Sequence, residues 1–232
     1  MIISTWNIRH GGGKRVKEIV NVLKDNINSD VFILTEFRNN NNKEAIETSF
    51  KVLGFNNIYS TKADSKTNSV LIASKDQYKV EMFDQLKEHK QRVIKISSNK
   101  LSIYGCYFPQ KKLKKEVFEF LLNEIKKNKS ENIIIVGDFN TGKHFLDEKG
   151  SSFYCSEYLF EFERKGMVDA WRFINDNKKE YSWYSNVGNG FRIDHVFLKE
   201  SLKKNIVDCY YKHSYRENNI SDHSLLKLFI NL

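Results

Sequence analysis

The chain has 232 residues, 40% of them hydrophobic and 13% aromatic, which is enough to bury one sizeable core, and we expect a single domain spanning residues 1–232. One proline and 11 glycines argue against a disordered or low-complexity chain, and no stretch reaches the roughly 18 consecutive apolar residues of a membrane span. The formal net charge of +9 favours a polyanionic partner, although charge alone decides little.

Strands and helices alternate in the first fifty residues. An apolar run predicts a strand from Met1 to Ile8, and apolar residues at helical spacing predict a helix from Lys14 to Ile27. A second strand follows from Asp30 to Phe37, and a second helix begins near Lys43. The first ten residues show no basic leader followed by an apolar region and a cleavage site, so we expect no signal peptide.

Strands dominate the middle of the chain, and both element types return towards its end. Four candidate strands between residues 68 and 108 are close enough in sequence to pair as antiparallel hairpins or meanders. The remaining predicted elements are helices at Lys111–Lys127 and near Glu157–Lys165, and strands at Ile133, Arg192–Leu198, Cys209–Tyr215 and Ser224–Ile230. This mixture predicts an α/β fold in which two mixed sheets pack face to face with helices outside.

The three cysteines, Cys106, Cys155 and Cys209, are widely spaced and odd in number. This pattern fits neither a disulfide framework nor a zinc site, so we expect small core residues in a reducing compartment. Together with the other observations, it leads us to expect a soluble, cytoplasmic monomer without a membrane or an obligate protein as partner.

Carboxylates and amides stand where the apolar runs end. The run Ile133 to Val136 is followed by Asp138 and Asn140, where a buried core would accept neither. The same boundary recurs at Asn7, Glu36, Asp194, Asp222 and His223. Any one of these would be an ordinary cap or turn residue, but strand ends can converge, and clustered carboxylates repel one another unless a cation lies among them. Oxygen ligands without thiolates indicate Mg²⁺ or Mn²⁺ rather than zinc.

Six motifs carry a resemblance to a known family. In chain order they are TWNIR, LTEF, YFPQ, GDFN, RIDHVF and SDHS, spread from Asn7 to His223. The chain resembles the endonuclease/exonuclease/phosphatase superfamily, and within it most resembles the exonuclease III type of apurinic/apyrimidinic endonuclease. The resemblance implies a four-layer αββα sandwich and a Mg²⁺-dependent phosphodiesterase in which Mn²⁺ could substitute.

The resemblance also implies a metal site and a water site. Glu36 would be the principal metal ligand, with Asn7 and Asp222 completing or supporting the site. Asp138 would orient or deprotonate the attacking water, and Asn140 would donate a hydrogen bond to a phosphate oxygen.

Three further residues would act around the phosphate. His223, held in one tautomer by Asp194, would contact the scissile phosphate and stabilise developing charge, as in other His–Asp pairs. Tyr107 would contact the phosphate or assist the leaving oxygen. Phosphodiester hydrolysis needs a positioned water, a cation over the non-bridging oxygens and stabilisation of the departing oxyanion, and these residue types supply all three.

A phosphate-binding loop is the competing interpretation of the GDFN segment, because Gly137 to Lys143 has the spacing GxxxxGK directly after a strand. However, His144 stands where Ser or Thr would hold Mg²⁺, and Asp138 would place negative charge inside the cradle. We therefore rank a nucleotide triphosphatase below a phosphodiesterase.

The resemblance suggests how substrate is held. In the exonuclease III type of enzyme an apolar pocket accepts the flipped-out abasic sugar, and its walls here would be Trp183, Phe191 and Ile193, although aromatics beside a strand are often core packing. Basic residues that could grip a duplex are Lys14, Arg15, Lys111 to Lys115, Lys143 and Arg192. Any one of them is more often a solvated charge, and if they line the mouth, binding should weaken steeply with salt.

The chain also departs from the abasic-site enzymes. Arg9 and His10 follow Asn7 where those enzymes usually carry a small or acidic residue and then glycine. An extra cation near the phosphate could favour a terminal phosphate. Arg216 is a further candidate phosphate contact. His144, Asp147 and Glu148 could supply another ligand or substrate contact, but they are more simply interpreted as polar loop residues.

Three functions remain open. The first is a Mg²⁺-dependent phosphodiesterase that hydrolyses DNA at abasic sites or 3′ ends. The second keeps this chemistry but acts on RNA, a nucleotide, or a phosphoinositide or sphingomyelin-type headgroup. The third is a catalytically inactive nucleic-acid-binding module, and the retention of every expected catalytic side chain argues against it.

Overall fold

The computed structural model describes residues 1–61, 63–99, 101–128 and 132–232. Its strands are β1 (Ile2–Asn7), β2 (Val31–Phe37), β3 (Asn57–Ser60), β4 (Ser69–Ser74), β5 (Lys79–Met82), β6 (Val93–Ser97), β7 (Ser102–Tyr107), β8 (Ile133–Asp138), β9 (Met167–Asp169), β10 (Trp183–Tyr184), β11 (Gly190–Phe191), β12 (Asp194–Lys199), β13 (Ile206–Lys212) and β14 (Leu225–Ile230). Its α-helices are α1 (Val16–Asp25), α2 (Lys43–Val52), α3 (Lys114–Lys127), α4 (Glu157–Arg164), α5 (Ala170–Asn175) and α6 (Ser214–Glu217). Short 3₁₀ segments cover His10–Arg15, Asp84–Arg92, Lys111–Leu113 and Glu200–Asn205.

Most of the strands belong to two six-stranded mixed sheets. The first sheet has the order β13-β14-β1-β2-β4-β3 and the second the order β5-β6-β7-β8-β12-β9, while β10 and β11 form a separate hairpin. Strand β1 is parallel to β2 and antiparallel to β14. Strand β8 is parallel to β7 and antiparallel to β12, in a register that places Asp138 between Tyr107 and Asp194.

The two sheets pack face to face over an aliphatic core. Ile72 of the first sheet meets Gly105 of the second, where an added Cβ would lie 2.9 Å from the Ile72 side chain, so the glycine lets the sheets approach closely. On the outside, α1 and α2 cover the first sheet around Phe50, and α3 and α4 cover the second around Phe118. The α/β prediction is confirmed as a four-layer αββα sandwich.

The first predicted helix begins later than expected. Helix α1 buries Ile19, Val22 and Leu23, which are spaced as one helical face. Before it, Gly11, Gly12 and Gly13 all have positive φ, a conformation that a right-handed helix does not contain. Residues 10–15 therefore form an irregular 3₁₀ segment.

Two predictions about strands hold only in part. Of the four candidates between residues 68 and 108, β5, β6 and β7 pair as the predicted antiparallel meander in the second sheet, but β4 lies between β2 and β3 in the first sheet and is buried on both faces. Strand β13 ends at Lys212, and α6 replaces its predicted continuation to Tyr215. The reason is that Tyr215 turns inward, where its ring packs against Trp6 and its hydroxyl accepts a hydrogen bond from Asn26.

Several short elements had no sequence signal. Strands β3, β9, β10 and β11 contain only two to four residues each, too few for a hydrophobic period to be recognised. Helix α5 follows Asp169, whose carboxylate caps it by accepting a hydrogen bond from the backbone N–H of Arg172 at 3.1 Å. Across the described ranges, each helix is too short or too polar to cross a membrane.

Candidate active site

The ends of strands from both sheets meet at one cavity of about 470 Å³. The predicted site residues that line it are His10, Glu36, Tyr107, Asn140, Trp183, Phe191, Ile193, Asp222 and His223. Asn7, Asp138 and Asp194 lie directly behind them, each 1% exposed. The convergence follows from the topology, because the carboxyl ends of the parallel pairs β1–β2 and β7–β8 lie on the same edge of each sheet.

His223 and Asp194 form a buried pair at this cavity. His223 Nδ1 lies 2.8 Å from Asp194 Oδ2, and the backbone of Asp194 is held by the hydroxyls of Ser182 and Tyr211. Burial alone would lower the pKa of His223, but the carboxylates of Asp194 and Asp138 outweigh it and raise that pKa well above the usual value. His223 therefore donates Nδ1–H to Asp194 and presents Nε2–H to the cavity.

Asp138 is the second buried carboxylate beside His223. Its Oδ2 accepts a hydrogen bond from Asn7 Nδ2 and its Oδ1 accepts one from the backbone N–H of Asn140, both at 2.9 Å. Burial raises the pKa of Asp138, although the His223 charge opposes the rise. Asp138 Oδ2 lies 4.0 Å from His223 Nε2, too far for a hydrogen bond but close enough for both atoms to contact one water molecule or phosphate oxygen.

A β-bulge turns Glu36 into the cavity. The pairing of β2 with β4 slips at this residue, and Glu36 has a φ of 53°, a left-handed conformation that costs about 1–3 kcal/mol in a non-glycine residue. Glu36 Oε2 accepts a hydrogen bond from the backbone N–H of His10 at 2.8 Å. Glu36 Oε1 accepts bonds from Asn7 Nδ2 and the Tyr107 hydroxyl, both at 3.2 Å.

Glu36 and Asp222 offer the oxygen atoms that a hard divalent cation needs. Asp222 is also 3.8 Å from Arg9 Nε, and none of the described residues that line the cavity is a cysteine. The Asn7 amide oxygen accepts the backbone N–H of Arg9 at 2.8 Å, so Asn7 turns its NH₂ group to the carboxylates and supports the site rather than completing it. The donor set fits Mg²⁺ or Mn²⁺.

A second group could be considered for the cation. Asp138, Asp194 and His223 have ligand atoms that all lie within 4.8 Å of one another. However, His223 Nδ1 and Asp194 Oδ2 already pair with each other at 2.8 Å, whereas the carboxylates of Glu36 and Asp222 face the cavity. We therefore interpret this cluster as a proton-holding group and Glu36 with Asp222 as the cation site.

Asn140 is held by contacts on every side. It has a φ of 52°, and its backbone carbonyl accepts a hydrogen bond from Lys114 Nζ. Its side-chain oxygen accepts a bond from Gln110 Nε2 at 2.5 Å, and Nδ2 donates to the Phe108 carbonyl at 2.7 Å. The second N–H of the amide is directed by these contacts and can serve a phosphate oxygen.

Lys114 was predicted only as one member of a basic run, and Asn68, which lies beside the cavity residues Tyr107 and His10, was not predicted at all. Lys114 is 1% exposed yet lines the cavity, and burial lowers its pKa to about 8. It lies within the predicted basic run, so the sequence signalled its charge but not its burial. Asn68 donates a hydrogen bond to the Tyr107 hydroxyl at 3.3 Å and contacts His10 and Arg38, but as a loop residue it had no local signal.

Apolar side chains form one wall of the cavity. Trp183 and Phe191 pair across the β10–β11 hairpin with ring centroids 5.6 Å apart, and Ile193 lies beside them. The indole N–H of Trp183 donates to Asp222 Oδ2 at 3.3 Å, which connects the hairpin to the candidate cation site. Phe153 extends this wall edge-on to Phe191, at 5.6 Å, and was not predicted because it lies in a loop without a hydrophobic period.

The predicted duplex-gripping residues are only partly at the cavity. Lys111 and Lys114 line it. Arg15 instead donates hydrogen bonds to the carbonyls of Arg9 and Ile220, and so joins the segment after β1 to the loop that carries Asp222.

Lys143 and Arg216 are corrections to the predicted substrate contacts. Lys143 is 8% exposed and its ammonium group pairs with Glu163 at 2.5 Å. The Arg216 guanidinium stacks on the Tyr184 ring at 4.5 Å and donates to Ser224 Oγ, and Arg216 does not line the cavity. Both cations are occupied by neighbours within the protein, so neither is placed to hold phosphate.

Residues 139–156, all of which the structure describes, form a loop between β8 and α4 that contains no helix. Asp147 and Glu148 are buried in it. Glu148 Oε1 accepts hydrogen bonds from the backbone N–H groups of Ser152 and Phe153 at 2.8 and 3.1 Å. A phosphate-binding loop is excluded, because such a loop is followed directly by a helix and none is present here. Asp147 and Glu148 instead stabilise the observed loop through their hydrogen bonds.

Arg192 was predicted to contact substrate, but it lies fully buried behind the apolar wall. Its guanidinium bonds Asp147 Oδ1 at 2.7 Å and Asp169 Oδ2 at 2.5 Å. Burial would raise the pKa of both carboxyls, but the Arg192 charge outweighs it and lowers each pKa below the usual range. Arg192 is therefore a structural cation that fixes the loop and the wall together.

We expect Arg192→Met to lower the free energy of unfolding by about 3–5 kcal/mol, because it leaves two buried carboxylates without this partner. Because the pKa values of Asp147 and Asp169 are lower in the folded state than in the unfolded state, their ion pairs with Arg192 stabilise the fold fully above the usual Asp pKa of about 3.9. This stabilisation is lost as the pH falls below that value. Urea unfolding at neutral pH measures the loss. Arg164→Met is the control, because it removes a guanidinium from a side chain that is 71% exposed, and it should change the free energy of unfolding by no more than about 0.5 kcal/mol. An equally small loss for Arg192→Met would contradict the prediction.

Comparison with known proteins agrees with this geometry. Residues 4–223 match the model of the Endonuclease/Exonuclease/phosphatase family. The 3′ phosphatase NExo from Neisseria bound to product DNA hairpin is similar at a TM-score of 0.86 and 18% identity, and an AP endonuclease from Archaeoglobus fulgidus at 0.80 and 21%. A 3′-5′ exonuclease (NExo) from Neisseria meningitidis gives 0.85 and 19%, and all three comparisons cover 100% of both chains.

At these identities the solved structures establish a shared fold, whereas the family model covers nearly the whole sequence. Its match begins before the first motif and ends at His223 of the sixth, and polar side chains of these motifs gather at one cavity. The chain therefore belongs to the endonuclease/exonuclease/phosphatase family, whose members are enzymes that hydrolyse phosphoester bonds.

Proposed function

We propose that the protein is a Mg²⁺-dependent hydrolase of DNA phosphodiester bonds that acts at abasic sites or 3′ ends. One observation carries the proposal. The His223–Asp194 pair, with a separation of 2.8 Å, lies within 4.0 Å of a second buried carboxylate, Asp138, at a cavity that also exposes Glu36 and Asp222. A proton donor, a base and a hard cation site around one space are what phosphodiester hydrolysis requires.

Asp138 would position the attacking water. Its pKa is raised by burial, which makes the carboxylate a better proton acceptor than an exposed aspartate. Hydrogen bonds from Asn7 and the Asn140 backbone hold it in one orientation. The attacking water would approach Asp138 Oδ2, the oxygen nearer to His223.

His223 and Tyr107 would donate hydrogen bonds to the phosphoryl group. Burial and the neighbouring Glu36 and Asp138 charges raise the pKa of Tyr107, so the phenol remains a donor at neutral pH. His223 keeps its proton because of Asp194 and can stabilise negative charge as it develops in the transition state.

A divalent cation held by Glu36 and Asp222 would neutralise the non-bridging phosphate oxygens when bound. Asn7 keeps Glu36 in place through its 3.2 Å hydrogen bond, and Trp183 holds Asp222 at 3.3 Å. These contacts orient the two carboxylates before a cation arrives, which reduces the reorganisation that binding requires.

DNA is proposed as the substrate on three grounds. The net charge is +9, the cavity is lined by Lys111, Lys114 and His10, and proteins of the same fold include a 3′ phosphatase bound to a DNA hairpin and an AP endonuclease. Cations around the cavity would attract the phosphate backbone.

The test is cleavage of an end-labelled duplex that carries one abasic-site analogue. Intact duplex, single-stranded DNA and RNA of the same sequence are run beside it, each with Mg²⁺ or EDTA and with His223→Ala as the inactive control. We expect Mg²⁺-dependent incision at the lesion or trimming from 3′ ends. DNA would be overturned as the substrate if RNA were cleaved preferentially. The same conclusion would follow if none of the four nucleic acids were cleaved but a nucleotide or lipid phosphodiester were hydrolysed.

A further inference from the structure

The apolar wall of the cavity continues beyond the three predicted pocket residues. The loop between β8 and α4 brings Phe153 and Tyr154 to the same space as Trp183 and Phe191. Tyr154 is 46% exposed, so nearly half of its surface is left uncovered by the rest of the protein. A wall of aromatic faces therefore extends from the inner cavity to its rim.

The Phe153 ring is fixed in place before any ligand binds. It lies between the His144 ring, stacked at 6.2 Å, and the Phe191 ring, edge-on at 5.6 Å. The backbone of Phe153 is held by Glu148, which is 2% exposed. An added Cβ at Gly142 would lie 2.9 Å from the Phe153 ring, so a glycine leaves room for it. A rigid aromatic surface loses little entropy when a ligand stacks on it.

The size and charge of the cavity are compatible with a whole nucleotide. Its volume of about 470 Å³ falls within the range of about 300–1,000 Å³ that small-molecule sites usually have. Lys111, which is exposed, lines it together with the aromatic faces. Aromatic rings beside cations are the combination that binds unpaired nucleic acid, because bases stack while phosphates meet positive charge.

We infer that Phe153 and Tyr154 form a stacking subsite for the nucleobase of an unpaired terminal nucleotide. The inference rests on the proposed hydrolysis of DNA and specifies the DNA end that the cavity accepts. A base inside a duplex is already paired and stacked, and extruding it costs least when it is mismatched or unpaired. An abasic sugar has no base and gains nothing from these two rings.

The first experiment compares two duplexes that differ only at the 3′ terminus. One ends in a mismatched nucleotide and the other in an abasic tetrahydrofuran residue, and kcat and KM for removal of the terminal residue are measured in Mg²⁺. Phe153→Leu, which keeps apolar bulk but removes the stacking face, and Tyr154→Ala should each raise KM about 5- to 150-fold for the mismatched end. Both variants should leave kcat for that end, and KM for the abasic end, within about twofold of wild type.

Phe145→Ala is the matched control, because Phe145 belongs to the same loop, is 65% exposed and does not line the cavity. It should leave KM unchanged for both ends. If Phe153→Leu and Tyr154→Ala raise KM equally for mismatched and abasic ends, or for neither, the stacking subsite is wrong.

The second experiment measures stacking without catalysis. A duplex with an unpaired 3′-terminal 2-aminopurine is titrated with the full chain in EDTA, and quenching of the base fluorescence reports stacking. Wild type and Phe145→Ala should quench, and Phe153→Leu and Tyr154→Ala should lose most of the quenching at equal bound fraction. If quenching depends on both rings but the protein cleaves no DNA in Mg²⁺, the stacking subsite is supported and the proposed function is wrong. If the protein cleaves DNA but quenching does not depend on the two rings, the proposed function is supported and the stacking subsite is wrong.

Discussion

Replacement of His223 by alanine is expected to lower kcat by about three orders of magnitude or more while KM for DNA changes little. The physical reason is that the Nε2–H of His223 faces the space beside Asp138 and carries a proton that Asp194 stabilises. A donor that stabilises charge developing only in the transition state contributes to kcat rather than to ground-state binding. Single-turnover cleavage of the end-labelled duplex measures the effect.

Two companion variants make the His223 result specific. Asp194→Asn should lower kcat by a smaller factor, because the imidazole remains but loses the carboxylate that orients and charges it. His89→Ala removes a histidine that pairs with Glu116 and lies outside the cavity, and it should retain wild-type kcat. Full activity of a folded His223→Ala protein would show that the active site lies elsewhere.

The second large effect is expected for Glu36→Gln, which should raise the Mg²⁺ concentration for half-maximal activity by about tenfold or more. Glutamine keeps an oxygen that can accept the backbone N–H of His10, now 2.8 Å from Glu36 Oε2, but it removes the negative charge that attracts the cation. Activity is measured across a Mg²⁺ titration. Direct Mn²⁺ binding, followed by electron paramagnetic resonance, provides a readout that does not depend on turnover.

Glu47→Gln is the matched control for the cation site. Glu47 lies on α2, where its carboxylate is 4.0 Å from Lys43 Nζ, and it does not line the cavity. Its replacement should leave both the Mg²⁺ titration and Mn²⁺ binding unchanged. If Glu36→Gln also leaves them unchanged while Asp138→Asn abolishes Mn²⁺ binding, the cation belongs to the Asp138, Asp194 and His223 cluster instead.

The strands and helices were largely recoverable because their signals are local. The run Ile133 to Val136 predicts a strand buried on both faces, and β8 is a fully buried central strand of the second sheet. The lysine-rich segment predicts a helix, and α3 buries Val117, Phe118 and Leu121 on one face. The sheet that each strand joins was harder to predict, since β4 pairs with β2 and β3 while β5, the next strand in the chain, belongs to the other sheet. Hydrophobic periodicity does not encode this choice of partner.

Charged residues separate what a sequence can and cannot specify. Arg192 resembles a surface cation in sequence, because arginine is rarely buried. Its partners Asp147 and Asp169 lie 45 and 23 residues away, and only folding brings them together. The same applies to Lys114, whose place in a basic run predicted charge at the surface although its side chain is buried beside Asn140.

The sequence by itself determined the family, the αββα layering and the identity of the polar residues at the cavity, because motif order and strand-end placement are properties of the linear chain. The tertiary structure decided which of those residues touch, which cations are available to a ligand, and that Phe153 and Tyr154 join the cavity wall. These outcomes depend on contacts between residues far apart in the chain. Their geometry is set by sheet register, a β-bulge and buried ion pairs rather than by any local pattern.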